Sequence, residues 1–364
     1  MKKFIYIDDE SDSKVQALIN GINRHGEVTI EHFQSMTFDK FVSFMEANLK
    51  NYQGILLDLR LDDKANDEGE RANYTAPVVA QYLRTLATDG KIQDIPIVLC
   101  STDERLKKIY NNDLTSHNLF DMRFSKDDTD RYECLAQQLE AVASGYETIS
   151  KESDIGKLIG IDLSKLDERI FSRFLTDESF PAHEKAQFIL KELIFVTGPL
   201  IDEKVLASRL GIHIETSSDW PKVKDGIFSD ATYQGVFAGG WERWWMHEID
   251  TIFNHLTGTY LSYLDADERV KVLKEKTGIE NLEAAKAGKY CHSNRFWTVC
   301  ACTGEPIDPI ESFRVATDKE PKIWQEYRYL APHSALERLC MEKGKKVHFM
   351  DQDRLHNLQQ KLES

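Results

Sequence analysis

The sequence predicts an α/β domain with a doubly wound, five-stranded parallel sheet, followed by a helix-rich α or α+β domain. Short apolar runs alternate with amphipathic stretches over residues 1–145. This alternation stops at residues 146–156 (YETISKESDIG), which are polar and irregular. Beyond them, most periodic stretches have helical spacing. We therefore expect domains at 1–145 and 157–364, joined by a linker at 146–156.

Five apolar runs of strand length occupy the first domain, and an amphipathic stretch follows each of them. Parallel neighbours need right-handed crossovers, so this alternation predicts helices on both faces of the sheet. The predicted strands are 3–8, 28–33, 54–58, 95–100 and 119–124. The predicted helices are 13–24, 38–50, 75–88, 103–111 and 129–144.

The second domain has longer helical patterns and few strand-like segments. Its aromatic stretch WERWWMHEIDTIFNHLT (241–257) has apolar residues around much of the helix, which favours a core helix over a ligand site. Any part of it left exposed would be a protein-binding surface. The predicted helices are 164–176, 183–196, 202–210, 241–257, 266–276, 322–341 and 352–363. Short strands are predicted at 232–237 and 296–302.

Composition excludes several classes of function. The chain has 46 Lys and Arg against 61 Asp and Glu, a formal net charge of -15, and neither half is basic, so a polyanion is not expected as a general partner. It contains no apolar run of the roughly 18 residues that a membrane helix needs. The N-terminus lacks the pattern of a secretory signal, so we expect a cytoplasmic protein with no membrane partner. The six cysteines are then expected as reduced thiols or metal ligands rather than disulfides.

Polar residues end four of the five predicted strands. Asp8 and Asp9 follow the first strand, Asp58 ends the third, Ser101 the fourth, and Lys126 follows the fifth. The carboxyl ends of parallel strands meet in one crevice, so these side chains should converge there. Adjacent carboxylates repel unless a cation compensates them. A hard divalent ion such as Mg²⁺ takes oxygen ligands and suits a cluster of three carboxylates.

This pattern, in its order and spacing, resembles the receiver domain of bacterial two-component response regulators, which has a receiver/flavodoxin-like fold. The resemblance implies that Asp58 accepts a phosphoryl group from a histidine kinase or phosphotransfer protein. It implies that Asp8, Asp9 and Asp58 hold Mg²⁺. Ser101 would bond the phosphoryl oxygens, and Lys126 would form an ion pair with the acceptor.

Four features depart from the usual receiver pattern. Asp127 follows the lysine in place of proline, and Arg123 stands where an aromatic switch residue is common. The stretch 62–74 (DDKANDEGERANY) is longer and more acidic than the usual loop. Thr102 replaces a smaller residue, which we expect to restrict the access of water to an acyl phosphate. These departures predict an unconventional route from the site to its output.

The second domain contains partial patterns of two kinds of binding site. DEKVLASRLGIHIETSSDW has the spacing of a helix-turn-helix, but residues 213–219 offer no Lys, Arg, Asn or Gln to read DNA, so DNA binding is not expected. Zinc is an alternative, although only one residue separates the closest cysteine pair, and paired zinc ligands usually have two or more residues between them. The candidate zinc ligands are Cys291, His292, Cys300, Cys302 and Cys340.

The functional prediction is a response-regulator-type phosphorelay protein that accepts a phosphoryl group on Asp58. Its second domain would bind a protein, or the chain would act as a phosphoryl sink. One alternative is a receiver-gated enzyme with its active site in residues 157–364, where we identify no convergent catalytic set. The other is a pseudo-receiver that binds partners without phosphoryl transfer. No enzymatic activity is predicted beyond phosphorylation and dephosphorylation of the receiver aspartate.

Overall fold

A computed structural model describes residues 1–113, 115–175, 180–342 and 344–363. These residues form two compact units. The first comprises 1–191 with 234–241, and the second comprises 192–233 with 242–364. Within the described residues, no helix combines the length and apolar character needed to span a bilayer.

The first unit is built on a five-stranded parallel sheet with the strand order β2-β1-β3-β4-β5. The strands are β1 (Lys2–Asp8), β2 (Val28–Gln34), β3 (Gly54–Asp58), β4 (Ile97–Ser101) and β5 (Met122–Ser125). The main helices between and after them are α1 (Asp12–Asn23), α2 (Phe38–Asn48), α3 (Ala76–Thr88), α4 (Asp103–Lys108) and α5 (Tyr132–Ile149). The doubly wound sheet predicted from the sequence is confirmed. This order is the flavodoxin-like one, in which the crevice lies where the strand order reverses.

The apolar character of the strands explains why the sheet is internal. Every residue of β3 and β4 is buried, as are Phe4 to Asp8 in β1. Because β1 pairs with both β2 and β3, it is an internal strand, and its carboxyl end lies next to that of β3. Asp58 pairs with Cys100, so Ser101 lies one residue further along the neighbouring strand.

A helical extension, α6 (Ile155–Ile159), α7 (Ser172–Leu175) and α8 (Ala182–Gln187), belongs to the same compact unit as the sheet. The backbone N–H and ring Nδ1 of His183 both lie 2.7 Å from Asp94 Oδ2. The Lys191 ammonium donates a hydrogen bond to the carbonyl of His117 over 2.6 Å. The predicted linker at 146–156 therefore does not coincide with the division between units. Helix α5 continues to Ile149, and the hydrogen bonds of His183 and Lys191 join the extension to the residues around the sheet.

A buried ion network lies at the amino-terminal edge of the sheet. Arg84, only 4% exposed, donates to Asp121 Oδ2 over 2.7 Å and to Asp94 Oδ1 over 2.9 Å. Asp121 also accepts the Ile97 N–H over 2.8 Å and the Tyr146 hydroxyl over 2.6 Å. The network thus joins α3, the start of β4 and α5, and extends to α8 through Asp94.

The described residues of the second unit are helix-rich and form three two-stranded antiparallel sheets, so the predicted α+β alternative is the one observed. Its core packs α9, α11 and α12 around buried Trp220 and Trp244. The helices are α9 (Glu203–Leu210), α10 (Trp220–Lys222), α11 (Met246–Thr257), α12 (Ala266–Thr277), α13 (Pro332–Leu336) and α14 (Gln352–Glu363). The strands are β6 (Leu200–Ile201), β7 (Trp244–Trp245), β8 (Thr298–Val299), β9 (Pro306–Ile307), β10 (Phe313–Arg314) and β11 (Tyr329–Leu330).

Several predicted elements of the second half are wrong. The helix predicted at 322–341 contains β11 and only the short α13. The helix predicted at 241–257 begins at Met246, because Trp244 and Trp245 pair with β6. The strand predicted at 232–237 is reduced to one bridge from Thr232 to Trp244. The helix predicted at 164–176 is helical only in α7 and short 3-10 turns, and residue 176 lies outside the described residues.

The cysteines also differ from expectation. Cys302 and Cys340 form a disulfide across a sequence separation of 38, with their Cα atoms 5.7 Å apart. The prediction that all six thiols are reduced or bind metal is therefore wrong for this pair. The geometry fits a disulfide because the fold places two distant segments within the usual Cα range. A spacing pattern alone cannot show this proximity.

Candidate functional site

Three buried carboxylates converge at the carboxyl edge of the sheet. Asp8, Asp9 and Asp58 each offer an oxygen within 4.8 Å of the others, and each side chain is buried. Among the described residues, this is the one group of three or more potential metal ligands. The convergence expected from the strand ends is therefore present. The candidate zinc ligands form no such group, and Cys302 and Cys340 are joined to each other.

Lys126 lies between two of these carboxylates. Its ammonium is 2.6 Å from Asp8 Oδ2 and 2.7 Å from Asp58 Oδ1. Burial opposes its charge, but Asp58 and Asp8 outweigh that effect and raise the pKa of Lys126. For Asp8 the balance favours ionisation: burial would raise the pKa, but Lys126 and the Tyr6 hydroxyl hold it below its usual value.

The negative charges of Asp58 and Asp9 are less fully compensated than that of Asp8. Burial, followed by the charge of Asp8, raises the pKa of Asp58 in spite of Lys126. Burial also raises the pKa of Asp9 to about 6, although the Lys64 N–H donates to Asp9 Oδ2 over 2.7 Å. The three carboxylates carry more formal negative charge than the Lys126 ammonium compensates. The oxygen donors and this surplus charge fit a hard divalent cation such as Mg²⁺.

Ser101 lies at the end of β4 and is fully buried. Its hydroxyl has no hydrogen-bond partner among the described residues. A buried hydroxyl without a partner carries a free-energy cost, so its position requires an explanation. It is free to donate one hydrogen bond to an anionic group that enters the crevice.

Two positively charged side chains that were not predicted accompany the acids. Arg105 Nη1 lies 3.3 Å from Asp58 Oδ2, and its Nη2 lies 2.7 Å from Asp63 Oδ2. Lys64 forms an ion pair with Glu10 next to the acid pair. Neither residue is at a strand end, so they could not be predicted from the argument that the carboxyl ends of parallel strands meet at one edge. For Arg105, the available signal was its place in the first turns of the helix that follows Ser101.

The positions that depart from the receiver pattern have defined contacts. Asp127 Oδ2 accepts the backbone N–H of Asp103 over 2.8 Å, at the start of α4. Arg123 is exposed and stacks over the Tyr110 ring, 5.0 Å from its centroid. Arg123 also donates to the side chain of Asn111. Arg123 therefore contacts the segment that follows α4 rather than the site.

The acidic loop (residues 62–74) is ordered by its own contacts. Ala65 and Arg71 form an antiparallel bridge, and Asn66 N donates to Glu70 O over 2.7 Å. The Tyr74 hydroxyl donates to the carbonyl of Met36 over 2.8 Å. This long loop is thus fixed against the residues that follow β2.

Comparisons with known proteins give structural matches only. No protein-family model matches the chain, and no curated protein matches it. The structural matches include a signal receiver domain from Vibrio parahaemolyticus, at 14% identity and a TM-score of 0.29, covering 41% of this chain and 96% of that one. They include a two-component response regulator from Clostridium difficile, at 18% identity and a TM-score of 0.24, covering 35% and 84%.

A third match covers more of the chain. It is a member of a redox-sensor family of the streptococci described as evolved from two-component response regulators. It has 11% identity and a TM-score of 0.29, and covers 78% of this chain and 93% of that one. Because these identities and scores are low, we assign the receiver-like fold of the first unit from its sheet order and strand-end residues.

Proposed function

We propose that the protein is a response-regulator-type phosphorelay component in which Asp58 accepts a phosphoryl group from a histidine kinase or phosphotransfer protein. The observation that carries this proposal is the convergence of Asp8, Asp9, Asp58 and Lys126 at one sheet edge. In this proposal the protein acts in the cytoplasm. Its second unit binds a protein partner, or the chain serves as a phosphoryl sink.

Asp58 is the nucleophile in this proposal. One of its carboxylate oxygens forms a bond to phosphorus, while the bond from phosphorus to the donor breaks and the donor keeps that electron pair. Asp8, Asp9 and Asp58 would hold Mg²⁺, which when bound neutralises charge on the phosphoryl oxygens. Lys126 contributes a fixed positive charge beside the acceptor. The Ser101 hydroxyl donates to a phosphoryl oxygen, which gives that buried group its missing partner.

The test is direct phosphorylation of the whole protein. We would incubate it with Mg²⁺ and acetyl phosphate, or with a phosphorylated histidine kinase, and measure intact mass. The expected result is the addition of one phosphoryl group, absent without Mg²⁺ and absent in D58N. The matched control D89N changes an exposed acid elsewhere in the first unit and should retain phosphorylation.

Two outcomes would overturn the proposal. Phosphorylation that persists in D58N would place the acceptor elsewhere. A wild-type protein that neither gains mass from any donor nor binds Mg²⁺ in a calorimetric titration would instead be a pseudo-receiver. In that case the acid cluster would have no role in phosphoryl transfer.

A further inference from the structure

Arg105 connects α4 to the acceptor. Its side chain is 35% exposed and extends from the third residue of α4 to Asp58 Oδ2, on the oxygen that Lys126 does not contact. Lys126 approaches Oδ1. The two cations therefore contact different oxygens of the same carboxylate.

Arg105 also has a competing partner. Its Nη2 lies closer to Asp63 Oδ2, at 2.7 Å, than its Nη1 lies to Asp58, at 3.3 Å. Asp63 belongs to the acidic loop and is also 3.0 Å from Arg60 Nη2. In the unphosphorylated protein, the Arg105 guanidinium is thus shared between a buried acceptor and a loop carboxylate.

We propose that Arg105 is a phosphoryl-binding residue that moves from Asp63 to the phosphoryl group when Asp58 is modified, and so couples α4 and the acidic loop to the site. This rests on the proposed function of Asp58. The carboxylate carries one negative charge, and its acyl phosphate carries up to two, so modification strengthens the attraction on the Asp58 side. A guanidinium can bond two phosphoryl oxygens at once. The present contact of Arg105 with Asp58, at 3.3 Å, involves only one oxygen.

The contacts of Arg123 support this route. Position 123 holds no aromatic residue, and the exposed arginine there contacts the Tyr110 ring and the Asn111 side chain. Arg105 therefore provides a direct link from the site to α4 that does not depend on position 123. The Ser101 hydroxyl, which has no partner among the described residues, would give the phosphoryl group a second contact just before α4.

The test uses opposite responses to a cation and to a phosphoryl mimic. We would titrate wild type, R105Q, R105K and the control K107Q with Mg²⁺ alone, and then with beryllofluoride at saturating Mg²⁺, by calorimetry. R105Q removes a positive charge beside Asp58, so we expect Mg²⁺ to bind about threefold more tightly. It also removes a charged partner of the mimic, so we expect beryllofluoride to bind about tenfold more weakly. R105K, which keeps the positive charge, should recover part of the lost affinity for beryllofluoride.

Hydrogen exchange reports the coupling itself. Beryllofluoride with Mg²⁺ should change amide protection at residues 103–111 and 62–74 in wild type and K107Q, but not in R105Q. The inference is wrong if R105Q shifts both affinities in the same direction, or if its α4 responds like wild type. Failure of the wild-type protein to bind Mg²⁺ and beryllofluoride would refute the proposed function instead.

Discussion

At the residue scale, chemically identical side chains differ because of their surroundings. Asp8 has a lysine and a tyrosine as partners, and its pKa is held low. Asp9 accepts one hydrogen bond from a backbone N–H. Its burial, together with the negative charges of neighbouring aspartates, raises its pKa to about 6. The structure thus gives the site one firmly ionised acid and two whose ionisation a cation would favour.

Lys191 gives a residue-scale prediction about pH. Burial lowers the pKa of Lys191 to about 8. At neutral pH, the charged ammonium in this buried position therefore destabilises the folded state. Below pH 8 this cost is fully present, because both folded and unfolded states bind the proton. Between pH 8 and the unfolded value of about 10.4, the unfolded chain binds more protons, so stability should rise with pH.

The variant K191M should therefore be more stable than wild type at pH 7, by about 1–2 kcal/mol after the lost hydrogen bond to His117 O is deducted. Urea unfolding at several pH values measures this. The stability gain should vanish as pH approaches 10. K50M, at an exposed lysine, is the control and should show no such trend. A K191M protein that is less stable than wild type at pH 7 would contradict the prediction.

At the element scale, polar contacts join the start of α8 to the residues that precede β4. Asp94 is 12% exposed in its side chain and accepts two bonds from His183 and one from Arg84. Hydrogen bonds to charged groups contribute about 1.5–3 kcal/mol each when buried. The start of α8 thus depends on one carboxylate that precedes β4.

The variant D94A should release α8 while the sheet stays folded. We expect the free energy of local opening at residues 182–187 to fall by about 2 kcal/mol, which corresponds to about thirtyfold faster amide exchange. Hydrogen exchange with mass spectrometry measures it peptide by peptide. D89A removes an exposed acid that pairs with Lys91 and should leave α8 unchanged. Equal loss of protection in β1 and β3 would show that Asp94 supports the whole unit instead.

At the scale of the whole molecule, two compact units differ in how they are stabilised. The first has a five-stranded sheet with a continuous apolar interior. In the second, the described residues form three sheets of two residues per strand and several separate apolar clusters, one of which contains Cys300 and packs against Cys302. A covalent link between distant segments is more important in such a unit, because short strands contribute few backbone hydrogen bonds.

Removal of the disulfide should therefore destabilise the second unit selectively. Closing a loop with a sequence separation of 38 corresponds to about 4 kcal/mol by the loop-entropy relation. We expect C302S/C340S, or wild type with a reductant, to unfold the second unit at lower urea, with hydrogen exchange assigning the transition. C134S, at an exposed cysteine in α5, is the control. A transition that shifts equally in peptides of the first unit would be inconsistent with this prediction.

The sequence was informative where local patterns coincide with the fold. All five strands of the sheet lie within three residues of their predicted bounds, because uninterrupted apolar runs have few alternatives to a buried strand. It was misleading where pairing overrides helical spacing. Trp244 and Trp245 have a helix-like pattern but pair with β6, and Tyr329 and Leu330 pair with β10 inside a predicted helix. Contacts made with distant residues cannot be derived from spacing.

By itself, the sequence determined the sheet and its strand-end residues, because parallel strands must present their carboxyl ends at one edge. That argument located Asp8, Asp9, Asp58, Ser101 and Lys126 without knowledge of any distance. Only the tertiary structure decided what surrounds them. It brought Arg105 from α4 to Asp58, and it joined Cys302 to Cys340. These contacts depend on how loops and helices pack, which is a property of the folded chain and not of any local segment.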